Sequence, residues 1–156
     1  MYKRQAVDPW FIVSSDPENS RIIRMAREVN DGKPEWVLSK VDDAVASQPE
    51  AKIAVFGLAF KANIDDLRES PALKIAGEIA QRFEKNRVLA VEPNVSQLPA
   101  KLSKYDNVEL AEISTAISES NIVVLLVDHD EFVNLWGPEL EEKTVIDTKG
   151  LWPCRL

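Results

Sequence analysis

A parallel, doubly wound α/β sheet is the fold the chain predicts from residue 51 onward, and three observations carry that expectation. Short β-branched, apolar runs at 52–58, 87–91, 108–110, 121–127 and 144–147 alternate with polar connections and stretches of helical period. The run from Ile122 to Val127 has no polar interruption, as suits a strand buried on both faces. Glycine, acidic and basic residues gather where the runs end, at Gly57, Glu92-Pro93-Asn94, Asp128-His129-Asp130 and Thr148-Lys149-Gly150. Strands that alternate with helices are joined by right-handed crossovers, so a Rossmann-like sheet in the order 3-2-1-4-5 is expected.

Residues 1–50 are expected to form an N-terminal tail and a helical connecting segment, and 51–156 the sheet domain. Asp8-Pro9 reads as a turn that introduces the apolar run Trp10-Phe11-Ile12-Val13. Asp16-Pro17-Glu18 combines an N-cap, a proline at the first helical position and an acid in the first turn, which predicts a helix start. Ile22, Met25, Ala26 and Val29 then share one face, and Asn30-Asp31-Gly32 breaks the helix. A second helix from Pro34 carries Trp36, Val37, Val41, Ala44 and Val45, followed by a polar connector at 47–50. After the first strand, Ser70 as N-cap and Pro71 at the first position predict a helix over 71–84 with Leu73, Ile75, Ala76, Ile79, Ala80 and Phe83 as its buried stripe. A further helix is expected at about 111–119, between the third and fourth strands.

Composition narrows the function classes. With 156 residues, 45% of them hydrophobic and 29% charged, the chain can bury a substantial core. Its net charge of −7 opposes nucleic acid and anionic lipid, so an anionic ligand must be met by local cations. The longest apolar run falls far short of the roughly 20 residues that span a bilayer, and no signal peptide is visible. Neither nucleic acid nor a membrane is therefore an expected partner, and no metal site is expected. One cysteine, Cys154, permits no internal disulfide, in keeping with a cytoplasmic protein, and it lacks an activating neighbour.

The leading candidate site is the loop between Gly57 and Ser70. Ligands of open parallel sheets sit beyond the carboxyl ends of the strands, and this loop carries Lys61 and Arg68 to that edge. It is not the dinucleotide fingerprint: the three glycine positions of that motif hold Gly57, Ala59 and Ala62, and the loop is longer. Read from pattern alone, a nucleotide-diphosphate site and a loop of solvated charges both stand. Glu92 lies beyond the usual spacing of a ribose-binding acid and reads as loop chemistry. His129, the single histidine, reads as a structural residue at the next helix start, with a ligand-bordering role as the alternative. In the expected order, strands one and four are neighbours whose connections diverge, so the switch point lies between Phe60-Lys61 and Asp128-His129, with Lys149 next along the edge.

The stretch GLAFKANIDDLRESPALKIA resembles the C-terminal domain of the UDP-glucose/GDP-mannose dehydrogenase family. Pieces at 6–13, 26–37, 91–99, 126–132 and 145–150 agree in the same order, closest to the branch that oxidises UDP-N-acetylmannosamine. The resemblance implies an NAD-dependent oxidation of a UDP-sugar C6 alcohol to a carboxylate, for surface polysaccharide. It also implies a homodimer made through the helical connector. Phe60, Lys61 and Lys149 match substrate contacts, Arg68 an arginine that reaches NAD held by another domain, and Asp8 an aspartate that assists the catalytic water. The family's nucleophilic cysteine falls four residues before Asp8, where this chain has Arg4, and residues 1–5 depart from the family pattern. The resemblance therefore implies a fragment without turnover of its own, with a truncated reading frame and an engineered boundary as the two explanations of its start. Two rival readings are a non-catalytic binding or assembly module and a phosphoacceptor domain. The first strand's Gly-Leu-Ala-Phe ending speaks against the second.

Overall fold

The apolar runs pair as one sheet. In the computed structural model, which describes residues 8–153, the strands are β1 (Ile53–Phe56), β2 (Val88–Val91), β3 (Val108–Leu110), β4 (Ile122–Leu125) and β5 (Thr144–Asp147). All neighbours are parallel and the order is β3-β2-β1-β4-β5, as the alternation predicts. Registers pair Phe56 with Val91 on one side and with Leu125 on the other, and Leu125 with Asp147. That alignment sets Gly57, Glu92, Leu126 and Thr148 along a single carboxyl edge.

Helices α1 (Asp8–Ser15), α2 (Arg21–Asp31) and α3 (Lys33–Ser47) precede the sheet, and α4 (Pro71–Arg82), α5 (Ile113–Glu119) and α6 (Pro138–Glu141) are interleaved with it. The side-chain alternation of a strand divides the core into two layers. Ile53, Val55, Val88, Ala90, Ile122 and Val124 face α3 and α4 through Val41, Leu73, Ala76 and Ile79. Ala54, Phe56, Leu89, Val91, Val123 and Leu125 face α5, Phe132, Leu140 and Trp152. Burial on both faces explains why β1, β2 and β4 carry no polar residue.

The chain divides into two compact units, Met1–Trp36 and Val37–Leu156. The polar connector at 47–50 placed the break near residue 50. The structure puts it earlier because Val37, Leu38, Val41 and Ala44 of α3 belong to the core of the sheet unit. In the first unit, Asp8-Pro9 opens a helix rather than a turn, since proline is tolerated in a first helical turn where its N–H would lack a partner. Residues 17–20 form a turn instead of helix: the Asp16 carboxylate accepts from the backbone N–H of Asn19 at 3.2 Å and from its amide at 2.9 Å. Gly32 keeps a right-handed helical backbone, so the expected break is a one-residue interruption. Ile22, Met25 and Val29 are 85%, 64% and 72% exposed, so the apolar face read from the sequence is open in this unit.

The connection from β2 to β3 contains no helix; Leu98, Leu102 and Tyr105 pack into the core from irregular backbone. Helix α4 ends at Arg82, with Phe83 already outside helical geometry and only partly buried.

Candidate functional site

The site loop begins at Gly57, whose conformation no other residue could share. Its φ is +84°, and a Cβ there would lie 2.5 Å from Cβ of Val127. The chain therefore turns hard against the end of β4. Just beyond, the backbone N–H groups of Leu58 and Ala59 both donate to Oε2 of Glu92, at 2.8 and 2.9 Å. Ser70 closes the loop's far end. Its hydroxyl donates to the Leu58 carbonyl at 2.7 Å and accepts the N–H of Leu73 at 3.2 Å, which makes it the N-cap of α4. Between these anchors the N–H of Phe60 reaches the Asp66 carbonyl at 2.8 Å.

A second tie runs to the segment after β4. Asn63 adopts φ +60°, a left-handed conformation that asparagine tolerates better than most residues. Its N–H donates to Nδ1 of His129 at 3.0 Å, and its Oδ1 accepts the N–H of Asp130 at 2.9 Å. A backbone amide can only donate, so Nδ1 of His129 is the acceptor and the ring proton sits on Nε2. Nε2 in turn donates to Oε2 of Glu92 at 3.1 Å. Asn94 completes the cluster, giving its N–H and its side-chain amide to Oε1 of Glu92 at 3.2 and 3.1 Å.

Glu92 and His129 have fully buried side chains. Burial pushes the Glu92 carboxyl up, yet the hydrogen bonds from His129, the Leu58 amide and Asn94 outweigh it and hold the group at about 2. The carboxylate is therefore ionised and fully partnered. The imidazole is also packed edge-on against Phe132, with ring centres 5.3 Å apart. These contacts make His129 a structural member of the loop anchor, although its side chain does not cap the short helix that follows, as the sequence reading had it.

At the neighbouring strand end, Asp147 organises the turn that carries Lys149. Its buried carboxylate accepts the N–H groups of Lys149, Gly150 and Trp152 at 2.8, 2.9 and 2.8 Å. The Lys149 ammonium lies 3.0 Å from Oδ1 of Asp128, and that contact holds the Asp128 carboxyl below its usual range. Phe60 and Lys61 project from the middle of the site loop; the ring is 43% exposed and the ammonium lies 6.0 Å from its centre. Arg68 forms a two-pronged pair with Asp66, both contacts at 2.9 Å, which raises its already high pKa.

Phe60, Lys61 and Lys149 are thus brought to one edge of the sheet, with Arg68 at the end of the same loop. Asp8 heads α1 in the first unit, and its side chain lies outside the described residues, as do Arg4 and Cys154. Sequence reasoning gave no role to Asn63, Asn94 and Asp147, and it read Glu92 as loop chemistry without seeing it as the loop's anchor. One signal pointed to Glu92: an acid directly after a buried strand, beside a first loop whose leading residues, Leu58 and Ala59, offer amides but no polar side chains.

Residues 54–153 match the family described as UDP-glucose/GDP-mannose dehydrogenase family, UDP binding domain. In an alignment of 155 positions that covers 94% of this chain, 52% are identical to the UDP-N-acetyl-D-mannosamine dehydrogenase of Salmonella typhi, and the match covers 36% of that protein. An NDP-N-acetyl-D-galactosaminuronic acid dehydrogenase of Ralstonia solanacearum is 51% identical over 96% of this chain and 34% of its own length. Among solved structures, the UDP-N-acetyl-mannosamine dehydrogenase Cap5O from S. aureus superposes with a TM-score of 0.71 at 32% identity, over 99% of this chain and 35% of the other. The chain spans about a third of the length of the relatives it matches.

Proposed function

Because the chain belongs to the UDP-glucose/GDP-mannose dehydrogenase family, we propose that it is the UDP-sugar-binding, C-terminal part of an NAD-dependent UDP-N-acetyl-D-mannosamine 6-dehydrogenase. The reaction would oxidise the sugar C6 alcohol to a carboxylate in the cytoplasm, as a precursor step for surface polysaccharide. The observation that carries the reading is the anchored loop at the carboxyl edge: it bears Phe60 and Lys61 and is tied through Asn63 to the segment after β4, which Lys149 also meets through Asp128. Lys61 and Lys149 would neutralise the diphosphate, with Lys149 exchanging Asp128 for phosphate oxygen as the ligand arrives. The half-exposed ring of Phe60 offers an apolar face to the base or the sugar.

NAD does not fit the first-strand corner of this chain. In dinucleotide folds the amides after the first strand receive the pyrophosphate, and here the Glu92 carboxylate takes those of Leu58 and Ala59. NAD would be held elsewhere, with Arg68 as this chain's contribution once it leaves Asp66. Since the position matching the family's nucleophile is Arg4, the chain alone would form no NADH, and Asp8 would act only beside a thiol from elsewhere. The open apolar face of α2 supports homodimer formation through the helical segment, which light scattering would detect.

Calorimetry with UDP and UDP-N-acetylmannosamine tests the assignment. Saturable binding of both, with no NADH formed from NAD⁺ by the pure chain, is the expected result. Absence of any UDP binding, or sustained NADH production, would overturn it.

A further inference from the structure

A carboxylate occupies the place where nucleotide-binding sheets receive phosphate. In such folds the first strand's turn presents backbone N–H groups to a pyrophosphate, and an acid at the end of the second strand holds ribose hydroxyls. Both groups are present here in matching positions, since Leu58 and Ala59 follow β1 and Glu92 follows β2. They satisfy each other. Glu92 accepts five hydrogen bonds, from Leu58, Ala59, His129 and twice from Asn94, and both of its oxygens are engaged. Leu58, Ala59 and Glu92 are all buried, so no solvent competes for the amides.

An arriving phosphate would meet a resident negative charge, with the amides of Leu58 and Ala59 already taken. It could bind there only by expelling a carboxylate that is also the anchor of the site loop, because His129 links Glu92 to Asn63. The closure extends to the steric side as well. Gly57, at the tight-turn position of a dinucleotide motif, brings the backbone against Val127, and the position of the second glycine, which admits the pyrophosphate, holds Ala59.

We infer that Glu92 is a specificity-determining residue: as an internal anion it bars a dinucleotide's pyrophosphate from the β1 corner and leaves the outer rim, at Lys61 and Lys149, to receive a diphosphate. The second half of this statement rests on the UDP-sugar reading. The barred corner stands independently of it.

The test follows the backbone amide resonances of Leu58 and Ala59 in the full chain, labelled with nitrogen-15, as inorganic pyrophosphate or NAD⁺ is added. In the wild type neither ligand moves them. In Glu92→Ala the amides are uncovered, and pyrophosphate or formate shifts both saturably, at least about tenfold more tightly than any effect in the wild type. Formate also raises the variant's melting temperature and leaves that of the wild type unchanged. Should Glu92→Ala fold only when formate or pyrophosphate is present, that dependence is itself the expected rescue. Movement of the two amides in the wild type overturns the inference, and so does a Glu92→Ala chain that ignores every anion, folded or not. UDP supports it by binding without disturbing Leu58 and Ala59, and opposes it by shifting them. A chain that binds no UDP sinks the proposed function and leaves the pyrophosphate and formate results fully readable.

Discussion

Replacing Glu92 by glutamine should destabilise the protein by an amount that depends on pH in a defined way. The carboxyl is lowered from 4.5 to about 2; burial opposes ionisation, but the bonds from His129, the Leu58 amide and Asn94 prevail. A group whose folded pKa lies below its unfolded value adds stability that is complete above the unfolded pKa. That stability is withdrawn as pH falls from 4.5 towards about 2. At about 1.4 kcal/mol per pH unit, the interval corresponds to about 3 kcal/mol at neutral pH. Glu92→Gln should therefore be less stable than the wild type by about 3 kcal/mol at pH 7, with the gap narrowing below pH 4.5 and closing near pH 2. Urea titrations at a series of pH values measure this, followed by tryptophan fluorescence, to which the buried Trp152 contributes. Exposed pairs such as Arg87 with Glu119 titrate alike in both proteins and drop out of the difference. Two stability curves that run parallel across the acid range would refute the reasoning, as would equal stability at neutral pH.

Three other outcomes are expected. Gly57→Ala combines a left-handed backbone with a Cβ 2.5 Å from that of Val127, so it should lose about 3 kcal/mol or more in urea titrations. Ser70→Ala removes the N-cap of α4 and leaves the buried Leu58 carbonyl without its donor, a loss of about 2 kcal/mol by the same measurement. Lys61→Ala and Lys149→Ala should each weaken UDP binding in calorimetry by about tenfold while shifting the melting temperature little, because the one ion pair involved is half exposed.

The sheet was legible because its signal is collective. Four or five residues of apolar, β-branched sequence at β1, β2 and β4 can be satisfied only by burial on both faces, and once helices alternate with them the order 3-2-1-4-5 has few competitors. Helix α4 was equally clear, with Ser70, Pro71 and the apolar stripe agreeing on start, face and length to within two residues. The first unit was less legible, and for a local reason. Asp8-Pro9 and Asp16-Pro17 carry the same signal, yet the first opens a helix and the second a turn, since Asn19 supplies Asp16 with partners that compete with helix formation. The place of α3 in the core was hidden because its stripe of Val37, Val41 and Ala44 looks the same whether it packs on a sheet or on another helix.

The site was half legible, and the missing half explains the visible half. Lys61 and Lys149 announce themselves as cations beyond strand ends, but a cation on a loop of a dozen residues has no fixed position until something fixes the loop. Here that something is a buried glutamate, a buried histidine and an asparagine in left-handed conformation, separated by 29 residues or more along the chain. No periodicity encodes such a cluster, because each member acts through a single atom at a single distance rather than through a repeated face. The same contacts answer a question the sequence left open. A glycine turn after a first strand invites a phosphate, and whether one can enter depends on the side chain that ends the second strand. With Glu92 turned inward onto Leu58 and Ala59, the invitation is already taken, and the loop's charges are left to act from its outer side.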